Sequence, residues 1–387
     1  MTQKVTSNSI TSVDVSKLSG NHTNATDGRN LTNINDGIIE SPNDPTASSN
    51  PTGGLGTLWV NYTSGEMYNL TNASTNSNYW KNVGGQTGDI FKPPYQFQGT
   101  QNGFHSGSDT GGLGKRVQKF AFSSNTNATI QCDLVHNVAR PGTCDDAMNG
   151  YGYCFNGGHH SSTNTIDRFS HASTNTSNHV GGMVINLAQR NGLSSETHGY
   201  IAGAYGLGQR DIEKFQYAAS VNSAQWSLLL YGSNEAAPHS NVTHGYLTMG
   251  WSTSPHAGGY YGNIIRKIVY ASSGTQTSVG TLTSGQSNNG TGCNDTTHGY
   301  HACGTSQSFV ARFQFANESN SSTLGNLNKA CHGAGGQSSE TYGHVSGGVT
   351  SNYTTIEKFQ FSASLNKSGH GDLYNTTYQG WSGGNQQ

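Results

Sequence analysis

The chain has 387 residues, of which Gly, Asn, Ser and Thr together make up 181, whereas only 10% are charged and the formal net charge is −2. These four residue types are poor in helix interiors and common in turns, so the composition excludes a predominantly helical protein. The low charge argues against ordinary disorder and excludes nucleic-acid binding through a basic field. Because aromatic residues make up 10% of the chain, a core is available, and we expect a loop-rich all-β protein.

Residues 1–52 have no sustained helical or strand periodicity. The stretch Met1–Val15 is polar and no run of about 18 apolar residues occurs, so the sequence predicts neither a signal peptide nor membrane insertion. The elements Ser-Lys-Leu-Ser-Gly (16–20) and Asp-Gly-Arg-Asn-Leu-Thr (27–32) resemble the shaft segments of trimeric bacteriophage fibres. The resemblance implies an extended segment that attaches to other virion proteins and forms a homotrimer.

Residues 53–92 predict a small β module. Three strands are expected, at Thr57–Asn61, Gly65–Tyr68 and Tyr79–Val83, with a Thr-Ser-Gly turn after the first. The pattern Leu-Trp-x-Asn, Gly-Glu-x-Tyr, Trp-x-x-Val resembles a module of phage fibre and virion appendage proteins. A segment rich in Gly and Pro follows, and the third predicted domain covers residues 93–387.

Six units of a repeat with three landmarks occupy this third domain. The first landmark is a glycine followed by an aromatic residue or histidine, at intervals of 44 to 54 residues: Gly103, Gly152, Gly199, Gly245, Gly299 and Gly343. The second is a basic residue before a large apolar one: Lys119, Arg168, Lys214, Lys267, Arg312 and Lys358. The third is a leucine fourteen residues after the apolar one, at Leu134, Leu229, Leu282, Leu327 and Leu373, whereas the second unit reaches Leu187 after eighteen.

The landmarks predict short β-strands. Ile212–Tyr217 and Ile356–Phe361 alternate, which predicts half-buried strands with Ile, Phe and Tyr on one face and Glu, Lys and Gln on the other. A repeat of this length with three or four strands is typical of a β-propeller blade. We therefore predict a six-bladed β-propeller in which Tyr378–Gly384 supplies a strand that completes a blade opened elsewhere. Seven blades are the alternative, if residues 94–101 supply the missing strands.

Two repeated positions allow a functional and a structural interpretation. The six basic residues form either a ring of positive charge for acidic glycans or one packing or salt-bridge contact per blade, and we favour the second. His198, His244 and His298 either meet near the axis as a metal or ligand site or bond to the backbone of a neighbouring blade. We favour the backbone bond, because no carboxylate recurs at a fixed spacing, and we predict no metal and no cofactor.

The six cysteines fall into two groups of three, with Cys132, Cys144 and Cys154 in one and Cys293, Cys303 and Cys331 in the other. This spacing is consistent with a local disulfide and a leftover thiol in each group, although the pairing is open. No Cys-x-x-Cys pair occurs, which argues against a structural zinc site.

Motifs of nucleophile elbows, zinc proteases and phosphate-binding loops are missing, so the sequence predicts no enzyme and no catalytic residue. The candidate ligand contacts lie instead in long loops, where aromatic rings can stack on sugars or anchor their own loops: Trp251, Tyr260, Tyr261, His159, His160 and Trp381.

The repeat motif resembles a known group of proteins, and this resemblance extends over nearly the whole chain. It reads Ser-Ser-x-Thr-His-Gly-Tyr followed by Ile-Glu-Lys-Phe, at Ser194–Tyr200 with Ile212–Phe215, and in related form at Ser338–Gly348 with Ile356–Phe359. It is similar to the kelch-like repeats of structural proteins from marine and cyanobacterial tailed phages. The resemblance implies a tail fibre, spike or capsid appendage on the virion surface whose propeller binds a host cell-surface glycan or receptor. The alternatives are a purely structural decoration protein of capsid or tail and a polysaccharide depolymerase spike.

Overall fold

A computed structural model describes residues 38–84, 88–90, 95–107, 114–138, 140–155, 164–205, 209–217, 222–248, 250–252, 260–273, 276–283, 289–305, 307–349, 354–374 and 383–387. The chain divides into two compact units, residues 1–94 and 95–387. The described residues contain thirty strands and no helix, which confirms the all-β prediction. A helix long and apolar enough to cross a membrane is therefore not found among them. The predicted shaft elements at 16–20 and 27–32 lie outside the described residues.

The first unit contains one four-stranded sheet in the order β1-β2-β3-β4. Its strands are β1 (Ile38–Ser41), β2 (Leu58–Asn61), β3 (Met67–Asn72) and β4 (Tyr79–Asn82). The three predicted strands are confirmed, and β1 is added in a segment where the sequence predicts no strand. It pairs parallel to β2, whereas the other pairs are antiparallel. Tyr68, Leu70 and Trp80 form the core, with the Trp59 ring edge-on to Trp80.

The second unit contains six four-stranded antiparallel sheets among its described residues, numbered here sheet 1 to sheet 6. Their first strands are β30 (Gly383–Gln386), β8 (Gly142–Asp146), β12 (Asn191–Ser194), β16 (Ala237–Ser240), β22 (Thr291–Asn294) and β26 (Gly335–Ser338). Their second strands are β5 (Asn102–Ser106), β9 (Tyr151–Phe155), β13 (His198–Ala202), β17 (His244–Thr248), β23 (His298–Ala302) and β27 (Tyr342–Ser346).

The third strands are β6 (Arg116–Ala121), β10 (Thr165–Ser170), β14 (Asp211–Gln216), β20 (Ile264–Val269), β24 (Phe309–Gln314) and β28 (Thr355–Gln360). The fourth strands are β7 (Thr129–Asp133), β11 (Ser177–Gly182), β15 (Ala224–Leu228), β21 (Gln276–Thr281), β25 (Ser322–Asn326) and β29 (Lys367–Asp372). A two-stranded hairpin, β18 (Trp251–Ser252) and β19 (Tyr260–Tyr261), is inserted between the second and third strands of sheet 4. Repetition of one four-stranded sheet makes the arrangement propeller-like.

Glycine in the second strand makes room for the aromatic residue of the third strand. Gly199 pairs across sheet 3 with Phe215, and a Cβ at Gly199 would lie 2.4 Å from that ring. Four other sheets have the same approach, at 2.3 to 2.5 Å: Gly103 to Phe120, Gly152 to Phe169, Gly299 to Phe313 and Gly343 to Phe359. Since close-packed interiors leave no space for an added methyl group, the first two sequence landmarks recur together.

Buried side chains lie on both faces of the third strand. In β14, Ile212 packs in one core cluster with Leu229, whereas Phe215 and Tyr217 belong to another. Alternate residues of a strand share a face, so Glu213 lies on the face of Phe215, and it is 0% exposed. The prediction that Ile, Phe and Tyr share one face opposite a polar face is wrong, because Ile212 and Phe215 are three residues apart and lie on opposite faces.

The leucine landmark follows immediately after the fourth strand. Each of the five leucines is buried, and its backbone N–H donates to a carbonyl just before the third strand, as Leu229 does to Arg210 O over 2.5 Å. In sheet 2 this place is taken by Met183, which is buried and donates to Asn164 O over 2.5 Å. The prediction of Leu187 for the second unit is therefore wrong. The spacing of fourteen residues applies to all six units, and only the residue type differs.

The C-terminal strand β30 completes sheet 1 by pairing antiparallel with β5. This confirms the predicted strand that completes a sheet opened elsewhere. The described strand, Gly383–Gln386, shares Gly383 and Gly384 with the predicted Tyr378–Gly384, whose other residues lie outside the described part of the chain. Residues 95–101 form a single isolated bridge, Gly99 with Ser339, and join none of the four-stranded sheets of the described chain.

Cys303 and Cys331 form a disulfide with their Cα atoms 5.5 Å apart, and Cys293 is free. The expected disulfide and leftover thiol are thus confirmed for the second group. In the first group all three cysteines are free and buried on separate strands, so a disulfide there was wrongly predicted: Cys132, Cys144 and Cys154. Burial raises the pKa of these thiols above the ordinary value.

Candidate functional site

The fourth residues of the six first strands form a cycle of hydrogen bonds. Asp145 N donates to Ser194 Oγ over 2.9 Å, and Ser194 N donates to Ser240 Oγ over 3.0 Å. The cycle continues from Ser240 N to Asn294 Oδ1 (3.3 Å), Asn294 N to Ser338 Oγ (2.9 Å), Ser338 N to Gln386 Oε1 (3.2 Å) and Gln386 N to Asp145 Oδ1 (3.2 Å). Each residue donates its N–H to the next sheet and accepts from the previous one, so the six bonds close on themselves. Burial raises the pKa of the Asp145 carboxyl.

The second residues of the same strands bring backbones into direct contact. Four of the six are glycine: Gly192, Gly292, Gly336 and Gly384. A Cβ at Gly192 would lie 1.9 Å from Thr143 O, and one at Gly384 would lie 2.0 Å from Gly336 O. Such close approach requires glycine. At Thr143 the side chain instead donates to Gly384 O over 2.9 Å.

A cavity of about 100 Å³ lies where the first strands begin. Its wall includes the residue two positions before the first strand in five of the sheets: Arg140, Gln189, Glu235, Asn289 and Gly333. We call these five residues the mouth ring. All have a positive φ, between 54° and 64°. The left-handed conformation is unfavourable for most L-residues and clusters at functional sites. Its recurrence around one cavity therefore makes the mouth ring a candidate binding site.

Polar contacts hold the mouth ring together. Gln189 Nε2 donates to Glu235 Oε1 over 2.5 Å, and Arg140 Nη1 lies 3.8 Å from the same oxygen. Asn289 N donates to Glu235 O over 3.0 Å, and Gly333 N donates to Asn289 O over 2.9 Å. The side chains thus combine amides with one positive and one negative charge, so the described mouth ring is close to neutral.

Asn289 provides an unused hydrogen-bond acceptor at the cavity. The residue is only 7% exposed, and its Oδ1 atom accepts no hydrogen bond from the residues that the structure describes. A buried polar atom without a partner costs free energy unless a ligand or water satisfies it. The cavity therefore offers an acceptor for a hydroxyl or amide donor.

Two loops that carry predicted contact residues start at the mouth-ring end of their sheets. In sheet 2, Phe155 at the end of β9 pairs with Gly142 at the start of β8. In sheet 4, Thr248 at the end of β17 pairs with Ala237 at the start of β16, and the β18–β19 hairpin follows. Phe155 and Thr248, after which these two loops begin in the sequence, therefore lie at the end of their sheets where the cavity lies.

The predicted contact residues themselves are described only in part. The backbones of Trp251 and Tyr261 pair in the β18–β19 hairpin, which also contains Tyr260. The side chains of these three residues lie outside the described part of the chain, and so do His159, His160 and Trp381 entirely. In the sequence, Trp381 stands two residues before β30, the first strand of sheet 1. The five mouth-ring residues stand at the same distance before the first strands of the other sheets.

The repeated basic residues act in packing. The Arg168 guanidinium lies 4.2 Å above the Tyr151 ring, and Lys214 Nζ lies 5.6 Å from the centre of the Tyr200 ring. Lys358 likewise lies over Tyr342, and Lys267 forms an ion pair with Glu318. For these four residues the favoured interpretation of one packing or salt-bridge contact per sheet is confirmed.

The repeated histidines do not converge on the cavity. Nδ1 of His198, His244 and His298 lies 2.7 Å from the hydroxyl of the preceding threonine in each case. The three begin their second strands, at the end of the sheets opposite to the mouth ring. Both predicted roles are wrong, because the partner of each imidazole is the side chain of the preceding residue and not the backbone of another sheet. Partial burial lowers the pKa of all three imidazoles.

The sequence predicted neither the hydrogen-bond cycle nor the mouth ring. A signal for the cycle exists, since Ser194, Ser240 and Asn294 all stand four residues before the repeated histidine. No signal in residue type marks the mouth ring, whose side chains share no chemistry.

The described features at this end of the second unit are a cavity, a ring of left-handed residues and the starts of two predicted contact loops. A scan of the chain against models of protein families and a search of curated proteins each find no match.

Proposed function

We propose that the chain is a non-enzymatic virion appendage protein whose second unit, a six-bladed β-propeller, binds a host cell-surface glycan at the mouth ring. The observation that carries this proposal is the ring itself. Four non-glycine residues adopt the left-handed conformation around one cavity, and Asn289 offers an acceptor that no described residue uses. Backbone strain of this kind is retained where a site needs it.

Six blades are supported by six sheets of one topology and by the cycle of six hydrogen bonds. Strand β30, from the C-terminal part of the unit, pairs with β5, from its N-terminal part. A propeller ring is joined in this way when one of its blades combines strands from both ends of the domain. Such closure leaves no long free strand edge between blades.

The cavity chemistry favours a neutral ligand rich in hydroxyl groups. Amide and hydroxyl groups of Gln189, Asn289 and Thr291 line it, and such groups exchange hydrogen bonds without net charge. The charges of Arg140 and Glu235 lie within 3.8 Å of each other. An acidic glycan has less support, because three of the repeated basic residues, Arg168, Lys214 and Lys358, lie over aromatic rings of their own sheets.

The aromatic residues of the β18–β19 hairpin fit the same proposal. Trp251, Tyr260 and Tyr261 belong to a segment that leaves sheet 4 at the mouth-ring end. Tryptophan and tyrosine combine an apolar ring with a polar group, and sugar rings stack on such faces. Residues 1–52 would attach the protein to other virion proteins and form the homotrimer, as their resemblance to fibre shafts implies.

A glycan array probed with the full chain tests the proposal. Asn289→Gly removes the amide and keeps the left-handed backbone, since Gly333 occupies the same place in sheet 6. We expect a loss of affinity of about tenfold, the equivalent of roughly one hydrogen bond. Asn175→Gly is the matched control, because Asn175 is an exposed left-handed residue in the turn between β10 and β11.

The three function classes give different results in this experiment. Glycan binding that Asn289→Gly weakens and Asn175→Gly leaves unchanged supports the proposal. Absence of binding to any glycan or host-surface extract would refute it in favour of a decoration protein. Release of reducing ends from host polysaccharide would refute it in favour of a depolymerase.

A further inference from the structure

Three metal-ligating side chains converge where the connection from sheet 1 reaches sheet 2. His136 Nδ1 lies 2.8 Å from Asp167 Oδ1, and His179 Nδ1 lies 3.4 Å from the same oxygen. The three ligand atoms all lie within 4.8 Å of one another. Within the described ranges, no other group of three His, Cys, Asp or Glu side chains meets this condition.

The distances suit a shared cation. Nitrogen and oxygen ligands about 2.0–2.1 Å from a tetrahedral zinc ion lie about 3.4 Å from each other. The separation of His179 Nδ1 from Asp167 Oδ1, 3.4 Å, matches this value, whereas that of His136 Nδ1, 2.8 Å, is the length of a direct hydrogen bond and has to widen around an ion. Both imidazole rings are partly exposed, so they can adjust by rotation about their side-chain torsions.

The fold accounts for the carboxylate of this cluster. Asp167 occupies the third-strand position that is Glu213 in sheet 3 and Glu357 in sheet 6. Each of these glutamates accepts two backbone N–H groups of the connection that enters its sheet, at 2.9 to 3.1 Å. Asp167 does the same with one N–H, from His136 over 2.6 Å, through its Oδ2 atom. Its Oδ1 atom therefore faces the two imidazoles.

The fold does not account for the imidazole of His179. His179 stands opposite Asp167 across the β10–β11 pair. The corresponding residues of the other five sheets have no shared chemistry: Ile130, Gln225, Ser278, Thr323 and Gly369. Since five sheets form without a histidine at this place, packing of the sheet does not require one.

Burial divides the cluster into an anchor and two accessible ligands. The Asp167 side chain is 0% exposed, whereas those of His136 and His179 are 32% and 45% exposed. A buried carboxylate needs positive charge or donors around it, and a cation reaches it from the solvent side between the two rings. The bond from His136 N to Asp167 Oδ2 fixes the carboxylate orientation, as outer contacts of metal ligands do.

We propose that His136, Asp167 and His179 bind a divalent first-row transition cation, with Zn²⁺ as the reference ion. Two imidazole nitrogens and one carboxylate oxygen are the ligand types that this class of cation prefers. The cation would join the connection that follows β7, through His136, to strands β10 and β11 of sheet 2, through Asp167 and His179, and it would keep a coordination position for water or an external donor. The proposal does not depend on glycan binding at the mouth ring.

Calorimetric titration of the chelator-treated full chain with Zn²⁺ tests this site. We expect one ion per chain at micromolar affinity, and His179→Ala should weaken binding at least about tenfold, since loss of a ligand exceeds the tenfold effect of losing an outer contact. His179 is the preferred variant because its exposed side chain leaves the sheet intact. His244→Ala is the matched control, a partly exposed histidine of the repeat in sheet 4.

Thermal unfolding provides a second measurement, because a ligand that binds only the folded state raises the melting temperature. Zn²⁺ should raise it for the parent chain and for His244→Ala, and should have no such effect on a His136→Ala/His179→Ala double variant. The proposal is overturned by parent-like zinc affinity in the double variant, or by failure of the parent chain to take up zinc.

Discussion

Glu213 lies fully buried in sheet 3 with its carboxylate 2.6 Å from the guanidinium of Arg190, which is also buried. It accepts backbone N–H groups of the entering connection as well. Removal of one charge leaves the other buried and unpaired. We expect Glu213→Gln to lower the free energy of unfolding by about 3–5 kcal/mol, measured by urea denaturation.

An exposed ion pair is the control for this prediction. Arg116 and Asp133 lie 2.5 Å apart with side chains 25% and 53% exposed. Solvent screens such pairs, so Asp133→Asn should cost less than about 1 kcal/mol. Equal losses in the two variants would contradict the role of Glu213 as a buried anchor of the connection.

Gly299 tests the pairing of glycine with an aromatic ring. A Cβ at this position would lie 2.3 Å from Phe313. Gly299→Ala should lower the free energy of unfolding by about 1–3 kcal/mol, because the ring must move in a close-packed core. Gly369→Ala is the matched control in strand β29, where an added Cβ meets no atom within 4 Å. A loss in the control as large as at Gly299 would show that steric room for Phe313 is not the reason for the glycine.

Contacts between sheets include buried imidazoles. His239 Nε2 lies 3.0 Å from Thr248 Oγ1, and this hydroxyl lies 2.8 Å from His301 Nδ1 on the next sheet. Burial lowers the pKa of His239 to about 3 and that of His301 to about 4. Between sheets 1 and 6, burial lowers the pKa of His105 to about 3. These imidazoles are therefore neutral in the folded protein.

Neutral buried histidines make stability depend on pH. The unfolded chain takes up protons below about pH 6.5, whereas the folded chain does not until its lower pKa values are reached. Stability should be complete above about pH 6.5 and decrease towards pH 5, by about 1–2 kcal/mol per imidazole. Urea midpoints at several pH values measure this, and His239→Gln should give a shallower slope.

Two buried carboxyl groups have the opposite effect on the pH dependence of stability. Burial raises the pKa of Asp145 and Asp146, and their protonation favours the folded state, opposite to the histidines. His105, His239 and His301 outnumber these two carboxyls, so the net change towards pH 5 should follow the histidines. A urea midpoint that does not change between neutral pH and pH 5 would contradict the neutral state of these imidazoles.

Strands with a periodic pattern were predictable, and strands defined by distant partners were not. β14 and β28 follow from alternation in Ile-Glu-Lys-Phe-Gln, and β30 follows from the last glycine landmark. β1 has four residues, Ile-Ile-Glu-Ser, which do not alternate, and it exists through parallel pairing with β2. The burial of Glu213 was missed because Ile212 and Phe215 are three residues apart and lie on opposite faces, so that Glu213 shares the buried face of Phe215.

The candidate sites were less predictable than the strands. The left-handed backbone of Gln189 and Glu235 comes from the path of the chain into the first strand, and neither residue type favours it. His136 and His179 are separated by 43 residues, and only the order of the strands brings them to Asp167.

Assembly of the whole molecule is predicted from its N-terminal segment. Residues 1–52 have too little apolar material for a core of their own and resemble trimeric shafts, so we expect the full chain to form a homotrimer. Light scattering measures the mass, and a chain that lacks residues 1–37 is the control and should be monomeric. A monomeric full chain would contradict the trimer.

The first strands of all six described sheets of the second unit meet each other and carry the mouth ring at one end. All six sheets contribute to the hydrogen-bond cycle, and the cavity wall draws residues from every sheet. Binding there should slow opening of the segments that line it.

Hydrogen exchange of the full chain, with and without the glycan selected on the array, tests the location of binding most directly. Our account predicts slower exchange in peptides that contain Asn289–Gly292 and Gly333–Gly336, which line the cavity. Slower exchange confined to the opposite end, around His198, His244 and His298, or to residues 38–84 would contradict it.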